Sequence, residues 1–138
     1  MRPTILTVDD SKTLRLLVQQ ALSPFDCETD EASNGFNAFF SIERTRPDLI
    51  LLDISMPIMD GLETLERLKA APELAAIPVI MLTSRADHAV IPQLVARGAQ
   101  DHLMKPFNET ALLEKIRGVL KLRPARKTKL PAPESLSP

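Results

Sequence analysis

Leu49-Ile50-Leu51-Leu52-Asp53, running on into Ile54-Ser55-Met56-Pro57, is the stretch on which the fold turns. Four apolar residues in succession, without alternation, describe a strand buried on both faces, as in a parallel sheet covered by helices. A carboxylate ending such a strand does not belong in the core, because a buried unpaired acid either takes up a proton or needs a cation beside it. Asp53 is therefore expected at the strand's C-terminal edge, facing a crevice. Such crevices are where open α/β sheets bind ligands.

Thr4-Ile5-Leu6-Thr7-Val8 repeats the construction. It is rich in β-branched residues, ends in Asp9-Asp10, and gives way to an amphipathic helix opened by Ser11. If the two strands lie side by side and parallel, three carboxylates converge at one end of the sheet. Their repulsion would reach several kcal/mol, on the order of what a divalent cation relieves. Mg²⁺ suits the site, since it takes one or two carboxylates, keeps waters and recruits phosphate oxygens for its remaining positions. The crevice is expected to receive an anionic phosphoryl ligand.

Apolar spacing predicts helices over Ser11–Leu22, after an Asn34-Gly35 turn through Ala38, Phe39, Phe40 and Ile42 up to Arg46, and over Leu62–Ala71, a fourth containing Val90, Ile91, Leu94 and Val95, and a last one capped by Asn108 and reaching Leu122. Pro92 lies inside the fourth and predicts a late or distorted start there. Between them fall a short acidic strand, Cys27–Ala32, whose charges suit an edge, the strand Pro78–Thr83, and a fifth strand, Asp101–Met104. Five strands alternating with five helices, joined by right-handed crossovers, make a doubly wound parallel sheet with helices on both faces.

At 138 residues the chain holds one domain, expected over residues 1–123. Residues 124–138 contain four prolines, two leucines and no aromatic residue, and are expected to be a disordered tail or the stub of a linker. Net charge is −1, so the balance points to neither nucleic acid nor an anionic membrane. Cys27 stands alone, which removes disulfides and cysteine-built metal sites and fits a reducing compartment. No charged-then-apolar leader opens the chain and no apolar run approaches ~18 residues, so a cytoplasmic protein is expected.

In order along the chain stand Asp9-Asp10, Asp53 within Leu-Leu-Asp-Ile-Ser-Met-Pro, Asp60-Gly61, Thr83-Ser84 and Lys105-Pro106-Phe107. Each alone is commonplace: adjacent acids suit a helix N-terminus, Asp-Gly a turn and cap, and a single lysine the solvent. Together they resemble the receiver domain of bacterial two-component response regulators, close in size to the stand-alone chemotaxis type. The resemblance implies the flavodoxin-like strand order 2-1-3-4-5, already described for a chemotaxis member of that family. It also implies that Asp53 accepts a phosphoryl group from a histidine kinase or a histidine phosphotransfer protein. Asp10, Asp53 and the backbone carbonyl of Ser55 would ligate Mg²⁺, and Asp9 would act through a metal-bound water. Lys105, behind a cis bond to Pro106, would face the phosphoryl oxygens. Thr83 would be the switch, with small Ser84 leaving the phosphoryl group room. Output would appear on the fourth helix, fifth strand and fifth helix, recognised by a downstream protein, the domain being a monomer or a phosphorylation-dependent dimer.

One position departs from the family. Three residues before the lysine, where Tyr or Phe is usual, stands His102, which predicts a coupling that is weaker or dependent on pH. The chain reads as a switch with slow self-hydrolysis, not an enzyme. Three other readings use the same residues: an intermediate in a phosphorelay, the receiver part of a larger transcription factor or output enzyme, and a Mg²⁺ phosphatase. The last usually spaces nucleophile and acid two residues apart after the first strand, whereas Asp9 and Asp10 are adjacent.

Overall fold

Successive side chains of a strand point to opposite faces, so an uninterrupted apolar strand feeds two cores. In β3 (Leu49–Asp53), Leu49 and Leu51 enter one and Ile50 and Leu52 the other. The structure, a computed structural model, describes residues 2–125. Around β3 lie β1 (Thr4–Val8), β2 (Glu28–Ala32), β4 (Val79–Thr83) and β5 (Asp101–Met104), in the all-parallel order β2-β1-β3-β4-β5. This is the expected flavodoxin-like sheet. The three central strands are buried along their whole length, while acidic β2 forms an edge, as its composition predicts.

One face is covered by α1 (Lys12–Leu22) and α4 (Glu109–Arg117), which bury Val18, Ala21, Leu22, Leu112 and Ile116 against the sheet. The other is covered by α2 (Gly35–Arg44) and α3 (Gly61–Ala70), through Ala38, Ile42, Leu65 and Leu68. Each helix begins on a side chain that accepts a hydrogen bond from a first-turn N–H: Ser11, Asn34, Asp60 and Asn108 respectively. Side chains buried this completely contribute about 1.5–3 kcal/mol each, which fixes the strand ends and so the crevice above them.

Two expectations on helices are corrected. Among the described residues there are four α-helices, not five, because the segment between β4 and β5 forms two 3-10 turns, Arg85–Asp87 and Ile91–Gln93. Pro92 has no N–H to give to the carbonyl of His88, and the neighbouring amides bond three residues back instead, Gln93 to Val90 at 2.9 Å and Leu94 to Ile91 at 3.2 Å. Leu94 is buried all the same, with Val90 and Ile91 packed beside it. The last helix stops at Arg117 rather than Leu122, where Gly118, a poor helix former, turns its N–H back to Glu114 and Lys115. At the far end of the described residues Pro124 bridges Phe25, and Ala125 donates to Pro24 at 2.9 Å. The remainder of the expected tail, with Arg126, Lys127 and Lys129, lies outside the described residues.

Candidate functional site

Parallel pairing of β1 with β3 sets Val8 level with Leu52, so Asp9 and Asp53 emerge side by side where the strands end. Asp9 is fully buried, Asp53 is 4 % exposed, and Asp10 opens to solvent. One carboxylate oxygen from each of the three lies within 4.8 Å of the others. Asp9 is fixed locally: its N–H donates to the Ala32 carbonyl at 3.0 Å, and its Oδ1 accepts from the Ser11 N–H at 2.9 Å. Asp53 is fixed from behind. The Gly61 N–H donates to the Ile54 carbonyl at 2.7 Å, and a Cβ on Gly61 would fall 2.0 Å from the Asp53 carbonyl oxygen. Only glycine lets α3 begin against the backbone of Asp53. Reading Asp60-Gly61 as turn and cap captures Asp60, which accepts from the Glu63 N–H at 2.9 Å, but misses this role of Gly61.

Lys105 enters from β5's end, its backbone N–H held by the Thr83 carbonyl at 2.7 Å and its bond to Pro106 cis. Its Nζ lies 3.0 Å from Asp53 Oδ1, to which it donates, and 2.9 Å from Asp9 Oδ2. Toward Asp9 the approach is close but poorly directed, so Oδ2, wholly buried, has a charge beside it and no aligned donor. Burial pushes the Asp53 carboxyl up to about 6; Lys105 opposes that rise and the neighbouring carboxylates Asp9 and Asp10 reinforce it. Burial lowers the Lys105 pKa less than Asp9 and Asp53 raise it, so the ammonium is held above its ordinary value. At neutral pH the centre is therefore a set of acids tied by one lysine.

The remaining predicted residues surround this centre without bonding to it. Thr83 is buried and its hydroxyl donates away from Asp53, to the Leu103 carbonyl, over a long 3.5 Å. Ser84 is occupied too, since its N–H and its hydroxyl both donate to Asp87 Oδ2, at 2.7 and 3.0 Å. Asp87 is buried and went unread in the sequence; its signal was the Ser84-x-x-Asp87 spacing of a capping box. Ser55 is exposed and lines a groove with Asp10, Ile54, Met56, Pro57 and Asp60. In the same loop Ile58 takes a positive φ of 71° while 81 % exposed, a strained setting for a β-branched residue. His102 is half-buried in β5 opposite Met81, and its N–H donates to Asp101 at 2.7 Å.

A small divalent cation fits this donor set. Octahedral Mg²⁺ wants neighbouring oxygens roughly 3 Å apart and takes one or two carboxylates, so Asp10 and Asp53 need only draw together modestly from their present spacing, with Asp9 near enough to act through a water. The unaligned Asp9 Oδ2 faces the same centre and gains from any added cation.

Fold and site converge on one class, and the comparisons name it: residues 5–117 match the response regulator receiver domain, and the chain belongs to that family. It is similar to sporulation initiation phosphotransferase F of Bacillus subtilis, 34 % identical over 123 residues that cover 89 % of this chain and 98 % of that protein. It is 32 % identical to the phosphate regulon transcriptional regulatory protein PhoB of Rhizobium meliloti, covering 88 % of this chain but 53 % of that one, so the chain spans about half the length of this relative. Among solved structures, the chemotaxis protein CheY4 of Vibrio cholerae superposes with a TM-score of 0.80 at 31 % identity, covering 87 % of this chain and all of that one. No helix among the described residues is long and apolar enough to cross a membrane.

Proposed function

We propose that the chain is a phospho-acceptor switch in which Asp53 takes a phosphoryl group from a phosphohistidine of a kinase or phosphotransfer protein in the cytoplasm. What supports this above all is the gathering of three carboxylates within 4.8 Å, with Lys105 bridging the two buried ones. An Asp53 oxygen attacks phosphorus in line, the P–N bond of the donor breaks, and the imidazole leaves with that electron pair. Asp10, Asp53 and the Ser55 carbonyl would hold Mg²⁺, with Asp9 acting through water, and the ion when bound draws charge from the transferring oxygens. Lys105 lies 3.0 Å from the acceptor and supplies a second positive charge there.

Thr83 then acts as the switch. Its present bond to Leu103 is weak enough for a phosphoryl oxygen to displace, which would draw the loop after β4 inward and alter the surface made by residues 85–97, β5 and α4 for a downstream protein. The product is a conformation, so the chain counts as a switch and not an enzyme.

Incubation with Mg²⁺ and acetyl phosphate, followed by intact mass, tests the reading. One phosphoryl mass is expected on the parent and none on Asp53→Asn; equal gain in both sinks it. Near-complete coverage of a sporulation phosphotransferase supports a second reading, relay of the group to a histidine of another protein. Recovery of the label on a histidine-containing partner selects that reading.

A further inference from the structure

Arg15 has had no part so far, yet it ties the acidic turn to the edge of the sheet. It sits in α1 with its side chain 16 % exposed. Nη1 donates to the backbone carbonyl of Asp9 at 2.6 Å, and Nε donates to Glu31 Oε1, on β2, at 2.8 Å. The Asp9 N–H is already held by Ala32 of the same strand. Both polar groups of the Asp9 backbone are thus anchored to β2, one directly and one through a guanidinium fork.

That carbonyl belongs to the peptide joining Asp9 to Asp10. Peptide units are planar, so holding the oxygen fixes the plane from which the Asp10 Cα departs. Asp10 is the exposed member of the three-acid cluster, without the burial that constrains Asp9 and Asp53. We infer that Arg15, braced by Glu31, is a positioning residue for the cation site: it presents the Asp10 carboxylate toward Asp53. This rests on the Mg²⁺ reading given above.

Arg15 brings a second, opposing effect, because a cation near a metal site weakens metal binding. Here the guanidinium is paired with the Glu31 carboxylate at 2.8 Å, so little of its field is left over, and positioning dominates. For Arg15→Gln the two effects predict opposite outcomes, and for Arg15→Lys the charge effect predicts none. Lysine keeps the charge but cannot span carbonyl and carboxylate with a planar fork.

The test follows backbone amide shifts of residues 9–11 and 53–55 in the full chain during titration with MgCl₂ at constant ionic strength. Only folded molecules contribute to those signals, so a purely structural loss of stability leaves the half-saturation point in place. Arg15→Lys and Arg15→Gln should each raise the half-saturating Mg²⁺ concentration about tenfold, the low end for lost outer-shell support, and Glu31→Gln by about twofold. Unchanged half-saturation in Arg15→Lys, or tighter binding in Arg15→Gln, overturns the inference while leaving the function intact. A parent chain whose amides ignore Mg²⁺ overturns the Mg²⁺ reading and the inference with it. Should Arg15→Gln fail to fold, Arg15→Lys and Glu31→Gln carry the comparison.

Discussion

The two halves of the crevice are built to different standards. The loops after β1 and β3 are pinned by short bonds to their backbones: the Asp9 N–H on Ala32 and its carbonyl under Arg15, with Oδ1 accepting from the Ser11 N–H, and Asp53 backed by the Gly61 amide that closes on Ile54. The loops after β4 and β5 have backbone bonds too, Lys105 N–H to the Thr83 carbonyl at 2.7 Å and Asp87 N–H to the Ser84 carbonyl at 3.0 Å, but what faces the crevice hangs on side chains: the Thr83 hydroxyl reaching 3.5 Å to Leu103, the Ser84 hydroxyl on Asp87, and Lys105 on the acids. That second half then runs through two 3-10 turns, Arg85–Asp87 and Ile91–Gln93, with Val95 left 70 % exposed. The difference separates holding from responding. On the function proposed above, carboxylates that gather a cation must not move, whereas a segment that reports on phosphorus needs bonds weak enough to exchange.

The strongest test of this contrast removes the lysine through which the halves meet. Lys105→Met leaves the buried carboxylates of Asp9 and Asp53 without a cation. Breaking such a pair costs about 3–5 kcal/mol when fully buried; because Lys105 is 25 % exposed, about 3 kcal/mol is expected. Urea unfolding at pH 7 measures it, and millimolar Mg²⁺ should restore part of the loss. A change under about 0.5 kcal/mol would mean that the halves are not joined electrostatically.

Asp53 itself gives the next largest effect, with the opposite sign. Folded, its carboxyl takes up a proton at about 6, against an ordinary value of 3.8. Between those values the folded state holds the extra proton, so stability falls as pH rises through that window and the whole cost is present above it. At 1.36 kcal/mol per pKa unit the limit is about 3 kcal/mol, and relaxation around the site brings the expectation to about 2. Asp53→Asn should therefore be about 2 kcal/mol more stable than the parent at pH 7.5 in metal-free buffer, and equal to it below about pH 3. A gap that persists at low pH would assign the effect to packing instead of charge.

The same division marks what was legible in the sequence. Strands β1 and β3 could be read almost to the residue, because burial on both faces leaves an apolar run with few alternatives and an acid at its end has few explanations. Asp9, Asp10, Asp53 and Lys105 gather as that reading requires. The packing role of Gly61 and the whole role of Arg15 leave no pattern in the sequence, since the first acts by the absence of a Cβ and the second through a backbone carbonyl. Apolar spacing predicts a helix containing Val90, Ile91, Leu94 and Val95, with Pro92 distorting its start, where the backbone forms 3-10 turns. Val90, Ile91 and Leu94 do face the core, but side-chain spacing does not report how the backbone is bonded.

Pro92→Ala addresses that last point with the smallest expected effect. Proline inside an α-helix costs about 3 kcal/mol, but here the chain has already relaxed into 3-10 geometry and recovers much of that, so restoring the N–H should add about 1 kcal/mol. The new amide can donate to the His88 carbonyl, from which the Ile91 amide now stands 3.4 Å away. Circular dichroism should show a gain of one to two helical turns, and amide exchange across residues 88–97 should slow about fivefold, the factor that 1 kcal/mol implies for local opening. With a stiffer segment the two halves of the crevice become more alike, and the exchange response of residues 85–97 to phosphorylation should shrink. If Pro92→Ala leaves helix content and exchange where they were, the irregularity belongs to the exposed face around Val95 and Gly98 and not to the missing donor.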